Sequence, residues 1–481
     1  MIPLIAILAA KISSKLIKSL KLGKASALPG RVALAIYPKI LEYYQTQLMG
    51  SELQFFITGT NGKTTTTGLL KQIVLEHLKL TNQAPALICN DYGANLYYGI
   101  CTELVHSSTL ISKPKSLFKK LPDARLANPE EPELTSASMR IPRGERNAAD
   151  GTFRMGFKSS NYVLELDEAA FVSVAKVLQP KSVTVTNLFR DQLDRFGEID
   201  STQKLIVSGI EELVARSSVL GARHIILNAD DTKVSDIKNL LQSKANLCRP
   251  EFYFYRVTHS QKAIENLDAT ATASVIANED CFITEVIEEQ IGYSQIRLKK
   301  GNDSIELKLN LPGLYNIYNA CAAAATAYSN GISLAAIKSG LENYQCNFGR
   351  SEIKSINGQE YQVFLIKNPT GCTEVLKYIN QDTQARYLIA INDNYADGRD
   401  VSWLWDARFD YINTGNRVIY CSGHRAEDMA LRLKYAGINP ELIIIEKNIR
   451  QALKLAASET KEQEHLYVLP TYTALLELVS V

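Results

Sequence analysis

Thr58-Gly59-Thr60-Asn61-Gly62-Lys63-Thr64-Thr65 lies between a short apolar run, residues 53–57, and residues 64–80, where Leu69, Leu70, Ile73, Val74 and Leu78 keep helical spacing. The order is buried strand, glycine-rich turn, helix. Glycines let such a turn close tightly, so that its N–H groups point into one cavity, and the helix start adds partial positive charge. A lysine placed as Lys63 reaches the β- and γ-phosphates of a nucleotide, and a hydroxyl placed as Thr64 ligates Mg²⁺. The strict phosphate-loop pattern asks for glycine at position 57, where this chain has Ile57. A threonine-capped turn is the plain alternative; the strand–loop–helix context speaks for phosphate binding by Gly59, Thr60, Asn61, Gly62, Lys63, Thr64 and Thr65.

Moving outward, residues 162–166, 182–186 and 224–227 read as further buried strands, with helices near 169–178 and 201–216. Strand–helix alternation predicts a mainly parallel sheet covered on both faces. Ligands of such sheets sit beyond the carboxyl ends of the strands. Glu165 stands at one of those ends, where a carboxylate can hold Mg²⁺; a surface acidic cluster is the alternative. Residues 186–198 form a dense polar run that could ligate metal, contact substrate or only cap helices. Residues 106–157 break the alternation and read as a surface insertion, partly disordered. Residues 250–309 alternate polar and apolar, which predicts antiparallel strands attached to the sheet, and residues 318–328 are an alanine-rich helix. The chain restarts near residue 346. Strands at 363–366, 387–391, 417–421 and 442–445, with helices at 373–379, 426–435 and 449–457, predict a second, smaller α/β unit. The expected division is residues 1–50, 51–345 and 346–481.

The 481 residues carry 53 Lys+Arg against 51 Asp+Glu, a net +2. That balance excludes a nucleic-acid binder held by bulk positive charge. Eight scattered cysteines spell neither a disulfide framework nor a zinc ribbon. Residues 1–10 are apolar, but lysines follow rather than precede them, unlike a signal peptide, and the run is too short to span a bilayer. Ile5, Leu8, Ile12, Leu16 and Leu20 predict an amphipathic helix packed on its own domain. Peripheral contact with an anionic membrane is the alternative.

Residues 58–65 resemble the ATP loop of the Mur ligase family, which joins amino acids to carboxylates through acyl phosphates. Leu227-Asn228-Ala229-Asp230-Asp231 resembles that family's nucleotide-binding strand end. Leu311-Pro312-Gly313-Leu314-Tyr315-Asn316-Ile317-Tyr318-Asn319-Ala320 resembles its adenine-side motif, and Phe348-Gly349-Arg350 its link to the C-terminal domain. The nearest branch is MurT. Leu28-Pro29-Gly30, Gly93-Ala94-Asn95, Asp191-Gln192-Leu193-Asp194-Arg195, Lys367-Asn368-Pro369, Asn392-Asp393-Asn394-Tyr395-Ala396-Asp397-Gly398-Arg399-Asp400 and Ser422-Gly423 are all similar to it.

The resemblance implies an α/β fold: a Mur ligase-like central P-loop domain with a mainly parallel sheet, plus a smaller C-terminal α/β domain. It implies ATP and Mg²⁺ as cofactors, with nucleotide contacts from Asn228, Asn316, Asn319 and Arg350, and Mg²⁺ on Thr64 and Glu165. It implies an ATP-dependent carbon–nitrogen ligase of peptidoglycan synthesis, taking ammonia from a class-I glutamine amidotransferase partner. That ligase amidates the D-glutamate of lipid II or a related stem peptide, in the cytoplasm at the inner membrane face. Lys63 would stabilise the transferring phosphoryl group. One aspartate, Asp400 first, with Asp393 and Asp397 as alternatives, would complete the partner's Cys–His pair. Departures matter too. Gln192 stands where many Mur ligases have histidine, and Lys204 is out of place for a carbamylated lysine, which favours ammonia over an amino acid as acceptor. Cys248 and Cys281 are too few for the four-cysteine zinc site of some relatives, so no structural zinc is expected. A stand-alone ADP-forming amino-acid ligase and a non-catalytic ATP-binding scaffold are the other readings.

Overall fold

The computed structural model describes residues 2–19, 27–48, 51, 53–90, 95–111, 154–157, 160–188, 199–216, 223–243, 250–259, 281–290, 292–345 and 350–479. Its strands, in chain order, are β1 (Gln54–Thr58), β2 (Ile88–Cys89), β3 (Ser108–Ile111), β4 (Arg154–Phe157), β5 (Tyr162–Glu165), β6 (Ser182–Val185), β7 (His224–Asn228), β8 (Glu251–His259), β9 (Cys281–Gln290), β10 (Tyr293–Lys300) and β11 (Asp303–Leu309), followed by β12 (Arg350–Ile356), β13 (Gln359–Phe364), β14 (Ala385–Ala390), β15 (Ile419–Ser422), β16 (Ile443–Ile445) and β17 (His465–Pro470).

One nine-stranded sheet runs β11-β10-β9-β8-β7-β6-β1-β5-β2. β1 is parallel to both neighbours, with Phe55 opposite Val163 on one side and Ser182 on the other. All five residues of β1 are buried because both faces are covered. Phe56 packs into a layer with Phe171, Ile206 and the N-terminal helices. Phe55 and Ile57 pack into the opposite layer, on helices Lys63–Leu80 and Leu314–Ser329. Alternate side chains thus serve two cores, and the phosphate loop leaves from an interior strand of the sheet.

A second, six-stranded sheet runs β12-β13-β17-β14-β15-β16, parallel apart from the β12–β13 hairpin. Tyr387 and Ile389 of β14 face one core and Leu388 the other. The expectation of α/β architecture around a mainly parallel sheet agrees with this arrangement.

Three expectations are corrected. The strands of residues 250–309 are not all antiparallel: β8 pairs parallel with β7, and β9 parallel with β8, before β10 and β11 turn antiparallel. Alternation reports one wet face of a strand; it does not report the direction of its neighbour. The insertion expected at 106–157 carries regular structure at both ends. Helix Tyr97–Ser107 runs into its start, and β3 and β4 close its base as an antiparallel pair; residues 112–153 lie outside the described residues. The first helix, Ile2–Ser19, packs the opposite way to expectation. Ala6, Ile7, Ala10 and Ser14 are buried, while Ile5, Ile12 and Leu16 are 52%, 58% and 55% exposed. Small residues allow a close approach to helices Leu28–Ile36 and Tyr97–Ser107, and Ile5, Ile12 and Leu16 turn outward.

Candidate active site

The loop between β1 and helix Lys63–Leu80 has its shape fixed by two glycines. Gly62 has φ +81°, and a Cβ there would stand 1.9 Å from Asn319 Oδ1; Gly59 has φ +121°, and a Cβ there would stand 2.4 Å from Thr186 Oγ1. Both positions need positive φ and close approach, which only glycine supplies without strain. The strand end after β6 holds the loop. The Thr60 N–H donates to Asn187 O at 2.8 Å, the Asn61 N–H donates to Asn187 Oδ1 at 2.8 Å, and Thr186 Oγ1 donates to Asn61 O at 2.8 Å. No side chain caps the helix that starts at Lys63. A helix start aimed into a cleft without its own cap suits an anion.

Lys63 is buried and curls over this loop. Its Nζ donates to Gly59 O at 2.6 Å and Thr60 O at 3.1 Å, and pairs with Glu168 Oε2 at 3.3 Å. Glu165 stands at the end of β5. Asn90 clasps its backbone in both directions at 2.8 Å, and Asn95 Nδ2 donates to its Oε1 at 3.0 Å. Its other oxygen, Oε2, is buried with no hydrogen-bond donor. A buried carboxylate oxygen left that way is costly unless a cation completes it. Glu165, with Thr64 on the same cleft wall, therefore fits a Mg²⁺ site.

On the far wall, Asn228 Nδ2 donates to Thr186 O at 3.1 Å, and Asp230 accepts from Arg256 Nε, the Val257 N–H and Tyr318 OH, each at 3.0 Å. Burial raises the Asp231 carboxyl although the Leu188, Lys233 and Val234 N–H groups donate to it. Asn316 and Asn319 are buried one turn apart near the start of helix Leu314–Ser329, their amides 3.3 Å apart. Thr60, Asn61, Gly62, Lys63, Thr64, Thr65, Glu165, Asn228, Asn316 and Asn319 all line one cleft of about 1700 Å³. Arg350 begins β12; its side chain, Gly93, Ala94, residues 189–198, Phe348, Gly349 and Cys248 lie outside the described residues. Cys281 is buried.

The C-terminal sheet closes the cleft. Asn368 Nδ2 donates to Asn61 Oδ1 at 2.8 Å, and Asn368 Oδ1 caps helix Pro369–Ile379 through the Gly371 N–H at 2.8 Å. The three aspartates after β14 differ in what they can offer. Asp397 is buried and fully engaged, accepting from the Thr473 N–H at 2.7 Å, Thr473 Oγ1 at 2.5 Å and the Asn394 N–H at 3.2 Å. Burial would raise the Asp393 carboxyl, but Arg425 at 2.9 Å and His424 hold it below the usual range. Asp400 is exposed; the Ser402 N–H at 2.8 Å, with the Ser402 hydroxyl, holds its carboxyl below the usual range.

Sequence reasoning missed Glu168 and Asn90 as builders of this site, held Asn187 only within the polar run 186–198, and treated Asn368 only as part of a resemblance. Glu168 was legible as the residue after Asp167, the cap of helix Glu168–Ala175, at the head of a parallel strand. The amides carry no charge pattern that would have flagged them.

Residues 153–327 match the Mur ligase middle domain family, and residues 365–475 the MurT ligase C-terminal family. Over 474 residues, 95% of this chain and 92% of its relative, the sequence is 31% identical to the lipid II isoglutaminyl synthase (glutamine-hydrolyzing) subunit MurT of Streptococcus pneumoniae. It is 28% identical over 479 residues, again 95% and 92%, to the subunit of that name from Staphylococcus aureus. The fold is similar to that of a MurF ligase from Thermotoga maritima solved in complex with ADP, at TM-score 0.58 and 11% identity over 93% of this chain and 83% of that one.

Proposed function

This chain belongs to the MurT family of Mur ligase-like subunits, and from that membership we propose that it is the ATP-consuming subunit of an enzyme that amidates the stem peptide of lipid II. An α-carboxylate oxygen of the D-glutamate attacks the γ-phosphorus of ATP, and ADP leaves. Ammonia then attacks the acyl carbon of the acyl phosphate, phosphate leaves, one proton passes to solvent, and D-isoglutamine remains. A carboxylate is a poor acyl donor because its leaving group is oxide; phosphorylation supplies a good one.

The residues divide that work. The loop N–H groups and the uncapped helix start cradle phosphate oxygens, and the glycines leave room for them. Lys63 exchanges its Gly59 and Thr60 carbonyl partners for transferring phosphoryl oxygens. Mg²⁺, held by Glu165 and Thr64, would supply Lewis-acid neutralisation of phosphate charge. Asn228, Asn316, Asn319 and Arg350 bind the rest of the nucleotide. A class-I glutaminase docks on the C-terminal sheet and delivers ammonia shielded from water. Asp400, whose carboxylate is exposed and is held only by Ser402 of its own turn, reaches the partner's histidine; Asp397 holds Thr473 and Asp393 holds Arg425. No described helix is long and apolar enough to cross a membrane. The lipid-linked substrate is met at the inner membrane face.

The observation that carries this reading is the pairing of full-length likeness to MurT with a glycine-cradled lysine facing a half-satisfied buried carboxylate. The test is phosphate release by the purified chain given ATP, Mg²⁺, stem peptide and an ammonium salt. Release should depend on peptide. It should fall by about 10³-fold in Lys63→Ala and about 10²-fold or more in Glu165→Gln. Peptide-independent release, or none under any condition, would count against a ligase.

A further inference from the structure

We infer that the outward face of the first helix is a docking surface for an anionic phospholipid bilayer. Ile2, Ile5, Ile12 and Leu16 are each more than half exposed. At 3.6 residues per turn they fall within an arc of about 80°. Lys15, exposed, lies about 60° beyond one edge of that arc. Large aliphatics along one stripe with a lysine beside it is the arrangement of a helix lying in a membrane interface. The aliphatics enter the acyl boundary, and the ammonium groups stay with the headgroups.

Charge over the whole chain points the same way. Residues 1–41 hold seven Lys or Arg and no Asp or Glu; with +2 for all 481 residues, the remaining 440 carry a net −5. Positive charge is therefore gathered at the end that bears the stripe. A second copy of the chain is a poor occupant, because a two-fold contact through the stripe would bring like lysines together.

The helix is also tied to the site through one intervening helix. Ser14 is hydrogen-bonded to His106 Nε2 at 3.0 Å, and Lys11 Nζ donates to Ser108 O, both at the far end of helix Tyr97–Ser107. That helix begins two residues after Asn95, which holds Glu165. The inference rests on the proposed lipid-linked substrate: a chain held at the headgroups meets a peptide borne on a lipid in two dimensions rather than three.

The test is co-sedimentation of the full-length chain with vesicles of phosphatidylglycerol and phosphatidylcholine in equal parts, and with phosphatidylcholine alone. Binding is expected with the first and not with the second. It should fall by more than about tenfold in Ile5→Ser/Ile12→Ser/Leu16→Ser and severalfold in Lys15→Glu or in high salt. The serine variant should amidate a water-soluble stem peptide at the wild-type rate with ammonium salt, and lose amidation of vesicle-embedded lipid substrate. No binding of the wild type to anionic vesicles overturns the inference, as does equal binding by the serine variant. So does a dimer that this variant converts to monomer without any vesicle binding. A chain that binds anionic vesicles but amidates neither substrate sinks the proposed function and leaves the docking surface standing; amidation of both without vesicle binding does the reverse.

Discussion

Asp400 and Lys63 carry opposite charges, and their surroundings differ accordingly. Lys63 is buried against carbonyls and one carboxylate, poised for exchange with phosphate. Asp400 is exposed, with a carboxyl that its own turn keeps acidic. A lowered pKa means that charge at Asp400 favours the folded state above the ordinary carboxylate range, and that this contribution fades only as pH falls through the lowered value. Asp400 is therefore ionised wherever a glutaminase works. Asp400→Asn should cut glutamine hydrolysis by the complex by up to about 10⁴-fold, with ATP binding unchanged and the acid limb of the pH profile unmoved. Wild-type glutamine hydrolysis in Asp400→Asn would remove it from that role. The phosphate loop was legible in eight consecutive residues, because glycine and lysine at fixed spacing have few other uses. The amides that hold it were not, since an asparagine reads alike in a turn, a cap or a clasp.

Helices Lys63–Leu80 and Leu334–Glu342 meet at Gly340, where a Cβ would lie 2.5 Å from Ile73 Cα. Backbone cannot yield there as a flexible side chain would. Gly340→Ala should destabilise the chain by about 1–3 kcal/mol, read as a lowered midpoint of urea unfolding. An unchanged midpoint would show that the two helices are free to move apart. Elements with strong periodicity, such as helix Lys63–Leu80 and β14, were legible within a residue or two. β17 was not expected at all, although it is central in its sheet. Leu466, Tyr467, Val468 and Leu469 make a short continuous apolar run that gives no period to read. The first helix was legible as a helix but not in its orientation. Amphipathic spacing names a stripe, and here Ala6, Ile7 and Ala10 make the buried contact while Ile5 and Ile12 face out.

Two sheets share one cleft through the Asn61–Asn368 amide pair, so the nucleotide loop and the C-terminal sheet are not independent. Asn368→Ala removes that pair and a helix cap together. It should lower kcat about tenfold, the worth of roughly 1.4 kcal/mol, and leave nucleotide affinity within about threefold. A loss in affinity with kcat intact would place Asn368 in nucleotide binding instead. Division into two α/β layers was legible from the restart of strand–helix alternation near residue 346, but a contact between residues 307 positions apart leaves no trace in local pattern. The chemistry of the whole molecule turns on activation of a carboxylate, and an oxygen label follows it directly. Stem peptide carrying ¹⁸O in its D-glutamate α-carboxylate is turned over with ATP, Mg²⁺ and ammonium, and the released phosphate is weighed. One ¹⁸O per phosphate formed is the expected result; phosphate free of label would contradict an acyl phosphate.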